Sequence, residues 1–177
     1  PRVRRQRQMC IRDSYGTQSM WTARQFHDIY MINLETGERR QIKEKSPSYM
    51  RFSPKGKYTY WYQDQDSSWY TRSMADGKEY RLTTPQTFAA WDEDNDVPDY
   101  PSPYGIAGWT DDDQSILIKD RYDIWKFDPI AASSPVNLTV NGRKEQITYS
   151  LIQLDREKRA YNTSEAQYLT GFNERTK

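Results

Sequence analysis

The residues that could do chemistry gather in one acidic stretch of the chain. The run AAWDEDNDVPDYPSP carries five carboxylates in eight positions, at Asp92, Glu93, Asp94, Asp96 and Asp99. Carboxylates at alternate positions 92, 94 and 96 are how an EF-hand calcium loop begins. The rest of the pattern fails, because the sixth position is Val97 where glycine is needed and the twelfth is Pro103 where a bidentate glutamate is needed.

Three interpretations of this acidic stretch stay open on the residues alone. It could hold a cation in a site unlike an EF-hand, or it could contact the positively charged end of a substrate. For the second interpretation, Asp94 and Asp96 are the candidate substrate-contact residues. The third interpretation is an ordered surface loop, stiffened by three prolines at 98, 101 and 103.

The rest of the sequence carries no catalytic motif. No G-x-S-x-G nucleophile elbow, no phosphate-binding G-x-x-x-x-G-K-[ST] and no dinucleotide-binding G-x-G-x-x-G occurs. His27 is the one histidine, and nothing in the sequence identifies the nucleophile and the acid that a general base would need. A single cysteine, Cys10, excludes an internal disulfide and a cysteine metal cluster. We therefore assign no catalytic residue, cofactor or metal ligand to this chain.

The elements around the acidic stretch are predicted to be short antiparallel strands. Residues 104–139 contain four apolar or aromatic runs, at 106–109, 116–118, 124–127 and 136–138, separated by Asp-, Pro- and Gly-containing turns. Short runs of β-branched and aromatic residues between such turns are typical of strands joined as hairpins. Four antiparallel strands in about 40 residues make one blade of a β-propeller.

The same pattern recurs earlier in the chain. In residues 46–83 the turn Phe52-Ser53-Pro54-Lys55-Gly56 matches Trp109-Thr110-Asp111-Asp112-Asp113, and Trp69-Tyr70-Thr71-Arg72 matches Asp123-Ile124-Trp125-Lys126. The run DIYMINLETGERRQI is the end of a still earlier copy. Repetition at roughly 40 residues or more, with four strands per repeat, predicts an all-β partial propeller of about three to four four-stranded blades. Closed propellers typically have about four to eight blades, so the ring is expected to be incomplete.

The repeat divides the chain into successive segments. They are a disordered or extraneous basic end (1–14), a blade remnant (15–45), a blade (46–84), the acidic insertion (85–103), a blade (104–139) and an incomplete blade (140–177). The five arginines of the first segment could alternatively form an arm for nucleic acid or an anionic membrane. Because a blade stopped halfway exposes a strand edge, we expect the chain to be a fragment, marginally stable or prone to aggregation by itself.

Composition limits the classes of function. A net charge of +1 favours no nucleic-acid partner, and no run of 18 apolar residues is present to span a membrane. Fourteen tyrosines and six tryptophans argue against disorder and supply the large side chains that strands bury. The first residues lack the apolar core of a signal peptide.

Several motifs together resemble a known family. The patterns D-I-Y-x-x-N-L-x-T-G and F-S-P-x-G-K, and above all YGIAGWTDDDQSILIKDRYDIWKFDP, resemble the N-terminal propeller of prolyl oligopeptidase family (S9) serine peptidases, in particular bacterial members of the Bacteroidetes type. The acidic stretch WDEDNDVPDYPSPYG and residues 141–177 are similar to that family as well, so the resemblance covers roughly residues 15–177.

The resemblance implies a function for a longer protein. In that family the propeller caps an α/β-hydrolase domain and limits entry to short peptides, and the Ser-Asp-His triad lies in that C-terminal domain. These 177 residues do not contain the triad, so no catalytic residue is carried over. The expected partners are the hydrolase domain of the same parent chain and peptide substrates. The resemblance leaves the compartment open, and a periplasmic or secreted bacterial parent is compatible with it. The alternative is a self-contained, TolB-like propeller that binds a protein or a ligand.

Overall fold

The strands of this protein form four antiparallel sheets that follow one another along the chain. The computed structural model describes residues 8–14, 26–155 and 157–176, and for 8–14 it gives the path of the backbone. The strands are β1 (Gln8–Ser14), β2 (His27–Asn33), β3 (Arg39–Ser46), β4 (Arg51–Phe52), β5 (Tyr58–Gln63), β6 (Ser68–Ser73), β7 (Glu79–Arg81), β8 (Ile106–Trp109), β9 (Ile116–Lys119), β10 (Ile124–Phe127), β11 (Val136–Asn137), β12 (Ile147–Ile152) and β13 (Tyr168–Asn173), with one helical turn, α1 (Gly142–Glu145).

Each sheet is a meander of consecutive strands. Sheet 1 is β1-β2-β3, sheet 2 is β4-β5-β6-β7, sheet 3 is β8-β9-β10-β11 and sheet 4 is β12-β13. All pairings between these strands are antiparallel, and within each sheet neighbouring strands are consecutive in the chain. The prediction of an all-β partial propeller is confirmed: the described strands form four successive antiparallel sheets and close no barrel.

Glycine-ended turns set the hairpins of sheet 2 as the sequence predicts. Gly56 and Gly77 have φ values of 75° and 74°, which a side chain with a Cβ rarely adopts. Each glycine N–H donates to a carbonyl at the start of its turn, Ser53 O and Ser73 O, at 2.9 Å. The turns therefore fix the register in which β4 pairs with β5 and β6 pairs with β7.

Sheets 2 and 3 make the same hydrogen bond between the third strand and a threonine that follows the fourth. The residues that correspond by this bond differ by one position from those matched in the sequence. Thr83 Oγ1 accepts from the N–H of Trp69, and Thr139 Oγ1 accepts from the N–H of Ile124. Trp69 therefore corresponds to Ile124, and the predicted match with Asp123 was wrong by one residue. The connection between the second and third strands spans 64–67 in sheet 2 and 120–123 in sheet 3, and in sheet 2 it contains a 3-10 turn at Asp64–Asp66.

The core lies between sheets 2 and 3 and is mostly aromatic. Its buried members are Tyr60, Tyr62, Trp69, Phe88, Ala90, Trp109, Ile116, Ile118 and Phe127. Phe88 meets the rings of Trp125 and Phe127 edge to face, with centroids 5.5 and 5.2 Å apart. Phe88 and Ala90 belong to the predicted surface insertion, so the first part of that segment is core and only the remainder is a loop.

The basic start of the chain differs from the expectation of a disordered end. Residues Gln8–Ser14 form β1, which pairs antiparallel with β2 along its whole length, from Gln8 opposite Asn33 to Ser14 opposite His27. β2 has an open edge on the side away from β3, and that edge accepts β1. Residues 1–7, and residues 15–25 of the predicted blade remnant, lie outside the described residues. In the part of the chain that is described, no helix has the length and apolar character needed to cross a membrane.

Candidate functional site at the acidic insertion

A short stem holds the acidic loop of residues 92–102 between sheets 2 and 3. Trp91 and Pro103 form an antiparallel bridge, and Tyr104 N–H donates to Ala90 O at 3.0 Å. One residue further out, Asp92 N–H donates to Ser102 O at 2.8 Å. Because Ala90 is fully buried, the stem anchors the loop in the core while its distal part projects into solvent.

Asp94, the first predicted substrate-contact residue, is paired with an arginine. Its Oδ1 lies 2.7 Å from Nη1 of Arg121, which lies in the connection between β9 and β10. The Asp94 side chain remains 67% exposed and that of Arg121 is 26% exposed, so one face of the carboxylate still meets solvent. The hydrogen bond that Arg121 donates to Asp94 is the largest influence that raises the pKa of Arg121.

Glu93, the preceding residue, is paired with a second arginine. Both carboxylate oxygens of Glu93 bond to Arg143, at 3.3 Å to Nη1 and 2.9 Å to Nη2, in the two-pronged geometry that guanidinium groups favour. This hydrogen bonding raises the pKa of Arg143. The backbone of Glu93 is fixed as well, because its N–H donates to the hydroxyl of Tyr104 at 2.8 Å.

A buried tyrosine lies next to both arginines. The guanidinium carbons of Arg121 and Arg143 are 5.2 and 5.4 Å from the ring centroid of Tyr122, within the range of cation–π attraction. Tyr122 is 7% exposed, and burial is the main cause that raises its pKa. Its hydroxyl donates to Oε2 of Glu174 at 3.2 Å. Both guanidinium groups therefore lie against the same aromatic ring.

Each arginine also has a second carboxylate partner, at longer distance. Arg121 lies 3.5 Å from Glu174, and Arg143 lies 3.7 Å from Asp120. Asp120 is itself held firmly, since it is 5% exposed and accepts from the N–H groups of Tyr122 and Asp123 and from Nε1 of Trp125. The arginine cluster, defined as Arg121, Arg143, Tyr122, Glu174 and Asp120 with the loop residues Glu93 and Asp94, thus has four carboxylates for two guanidinium groups.

Asp96, the second predicted substrate-contact residue, lies apart from the arginine cluster. It is exposed in the distal part of the loop, and none of the described residues pairs with its carboxylate. Asn95 orders the backbone beside it by donating to the carbonyls of Val97 and Asp99, both at 3.2 Å. The structure therefore leaves Asp96 available to a ligand and engages Asp94 on one side.

Sequence patterns missed the arginines because they are distant along the chain. Asp94 and Arg121 are 27 positions apart, and Glu93 and Arg143 are 50 positions apart. A signal was present, since both arginines occur in connections rather than inside strands and follow an insertion rich in carboxylates. The other residue considered for chemistry, His27, lies buried in β2 with its ring 5.4 Å from that of Tyr49.

The chemistry that this surface offers is recognition of charge. Exposed carboxylates attract an ammonium group, whereas the two guanidinium groups attract carboxylates in bidentate geometry. Among the described residues no group of three or more His, Cys, Asp or Glu side chains is arranged to hold a metal ion, which includes the alternate aspartates of the loop.

Known proteins supply no family for this chain. No protein-family model matches it, and no curated protein matches it either. The features that bear on function are the successive antiparallel sheets and the charged insertion beside them.

Proposed function

We propose that this chain is a non-catalytic part of the gating propeller of an S9-type serine peptidase. In this function the sheets surround an opening, and only peptides thin enough to pass reach an α/β-hydrolase domain in the same parent chain. The observation that carries the proposal is the repeated four-stranded sheet with the FSPKG and WTDDD turns at equivalent places, joined to the acidic insertion.

Tight packing between blades supports a gating function. A size filter has to keep its opening constant, and close-packed aromatic interfaces resist deformation. Trp109 of sheet 3 stacks on Tyr58 and packs against Tyr60 of sheet 2, with centroids 5.9 and 5.5 Å away. The two complete sheets therefore form a stiff unit.

The acidic loop supports contact with peptide substrates. Around the arginine cluster carboxylates outnumber guanidinium groups, and Asp96 and Asp99 add further negative charge close by. A negative surface attracts the ammonium group at the start of a peptide. In this function Asp96, with the exposed face of Asp94, contacts the peptide amine. A periplasmic or secreted bacterial parent fits an enzyme that takes up peptides.

The sequence of the parent gene downstream of Lys177 tests the proposal directly. We expect it to encode a G-x-S-x-G motif followed by an aspartate and a histidine, in the order of an α/β-hydrolase triad. A stop codon after one further closing strand would contradict the peptidase proposal and would support a self-contained TolB-like binding propeller.

The amine contact is tested in the parent enzyme with the substitution Asp96→Asn. We expect KM for a short peptide with a free amine to rise about threefold, since an exposed ionic contact contributes up to about 1 kcal/mol. KM for the same peptide with an acetylated amine should not change. Asp111→Asn, which removes an exposed carboxylate from the β8–β9 turn, is the matched control. Equal changes for both peptides would remove Asp96 from the substrate contact.

A further inference from the structure

The partners of the two arginines fall into two classes. The loop carboxylates of Asp94 and Glu93 lie at short distance, 2.7 and 2.9 Å, whereas the body carboxylates of Glu174 and Asp120 lie at 3.5 and 3.7 Å. The loop partners come from a segment whose tip is exposed, and the body partners come from the sheet 3 and sheet 4 region. Removing the loop would therefore leave both guanidinium groups positioned and without their nearest anions.

Residues outside the loop, and not the loop itself, hold the guanidinium groups in position. Tyr122 is buried and lies about equally far from both, and it is itself bonded to Glu174. Asp120 accepts three hydrogen bonds from its own connection, so it does not move with the loop. A pair of arginines that is ordered before a ligand arrives binds carboxylates at a lower entropic cost.

Exchange of the loop for another diacid leaves the charge of the cluster unchanged. With the loop removed, Arg121 and Arg143 balance Asp120 and Glu174, and the remaining cluster is neutral. A ligand with two carboxylates restores the charge that Glu93 and Asp94 provide. Since these are adjacent residues, a peptide with two consecutive acidic residues matches the spacing that the arginines already accept.

We propose that Arg121, Arg143 and Tyr122 form a binding site for acidic peptide segments, which the chain's own Glu93 and Asp94 occupy as an intramolecular competitor. Opening the loop of residues 92–102 about its stem at Trp91 and Pro103 exposes the site. This site differs from the amine contact at Asp96 in the sign of the ligand charge, and it does not depend on the proposed peptidase function.

The test measures binding of a fluorescein-labelled, acetylated Trp-Asp-Glu-Asp-Asn amide to the full chain at low ionic strength by anisotropy. The double substitution E93Q/D94N removes the two competing carboxylates. We expect binding roughly tenfold tighter than for the unsubstituted chain, because the loop then covers the arginines in a smaller fraction of the molecules. The matched control D96N/D99N removes the same charge from the same loop and should change affinity less than about twofold.

One further protein variant and one neutral probe complete the design. Adding R121Q/R143Q to E93Q/D94N should abolish the gain, and a probe with Asn and Gln in place of Asp and Glu should not bind any variant. The proposal is overturned if E93Q/D94N gives no gain, if D96N/D99N gives the same gain, or if the gain survives loss of the arginines.

A second measurement needs no substitution that could disturb folding. Excess acidic peptide should increase the rate of proteolytic cleavage within residues 92–102 of the unsubstituted chain, since the peptide displaces the loop from the arginines. The neutral peptide is the control. Equal cleavage rates with both peptides would overturn the competition, whatever domain the parent gene encodes downstream.

Discussion

Sheet 3 contacts sheet 2 on one side and the acidic loop on the other, and the two contacts differ in kind. Toward sheet 2, Trp109 is 2% exposed and packs on the rings of Tyr58 and Tyr60. Toward the insertion and sheet 4, the guanidinium groups of Arg121 and Arg143 are 26% and 49% exposed and hold carboxylates. Buried aromatic area contributes several kcal/mol, whereas an exposed ion pair contributes about 1 kcal/mol or less. The contact between sheets 2 and 3 is therefore permanent, whereas the contact between the arginines and the acidic loop can open.

A buried carboxylate reinforces the permanent joint. Asp113 is 2% exposed and accepts from Ser53 Oγ at 2.5 Å, from Lys55 N–H at 3.0 Å and from Lys57 N–H at 3.1 Å. All three donors belong to the β4–β5 turn of sheet 2. One side chain of sheet 3 thus satisfies the turn of its neighbour, so the two sheets cannot separate without exposing unpaired donors.

The joint with sheet 4 has a backbone component beside its ion pairs. Tyr149 N–H donates to Tyr122 O at 2.9 Å, and buried Asp123 accepts from the N–H groups of Gly142 and Arg143. These bonds place α1 and β12 and so bring Arg143 next to the insertion. The ion pairs to the loop add to this arrangement and are not required to build it.

The largest expected effect comes from the substitution Trp109→Ala. It removes the ring that fills the interface of sheets 2 and 3, and we expect the free energy of unfolding to fall by about 3–5 kcal/mol. Urea denaturation followed by circular dichroism measures it. Tyr168→Ala, at a ring that is 58% exposed, is the control and should cost less than about 1 kcal/mol. Similar losses at both positions would contradict the permanent joint.

A smaller loss is expected for Asp113→Asn. Asparagine tolerates the positive φ of 57° at this position, so the substitution changes the acceptor and not the turn. An amide offers one acceptor oxygen to three donors, and we expect a loss of about 1–3 kcal/mol in the same denaturation experiment. Asp111→Asn, at the exposed start of the turn, is the control. A neutral result for Asp113→Asn would show that Trp109 alone holds the joint.

The contact between the arginines and the acidic loop is tested with the substitution Arg143→Gln. Loss of its pair with Glu93 should lower the free energy of unfolding by less than about 1 kcal/mol, and high salt should remove the difference from the unsubstituted chain. Hydrogen exchange of the amides in residues 92–102 should become faster in the variant. An effect that is large and independent of salt would make this joint as permanent as the other one.

The smallest expected effect concerns Tyr70 of sheet 2, whose ring stacks on that of Trp61 in the neighbouring strand at 5.5 Å. Burial, followed by the hydrogen bond to Asp66, raises the pKa of Tyr70 to about 12. Because the protonated form is favoured in the folded state, its contribution is complete below the ordinary pKa of about 10 and is lost as pH rises toward 12. Stability should therefore fall less steeply over this pH range in Tyr70→Phe, and identical pH profiles would refute the shift.

Local patterns in the sequence predicted most of the fold. Gly56 and Gly77 end turns, and alternating aromatic residues such as Tyr60 and Tyr62 fill strands, because both signals act over a few residues. The match between the third strands of sheets 2 and 3 was misplaced by one residue, because residue types do not mark which N–H meets the threonine after the fourth strand. The pairing of β1 with β2 was missed because the basic start of the chain lacks alternation.

By itself the sequence determined the strands, the turns and an acidic loop with Asp94 and Asp96 in it. Only the tertiary structure decided that Phe88 and Ala90 of the same segment are core, and that Glu93 and Asp94 meet Arg143 and Arg121. Strand and turn preferences depend on neighbours in the chain, whereas these contacts depend on how separate sheets pack, and packing brings together residues whose spacing along the chain carries no period.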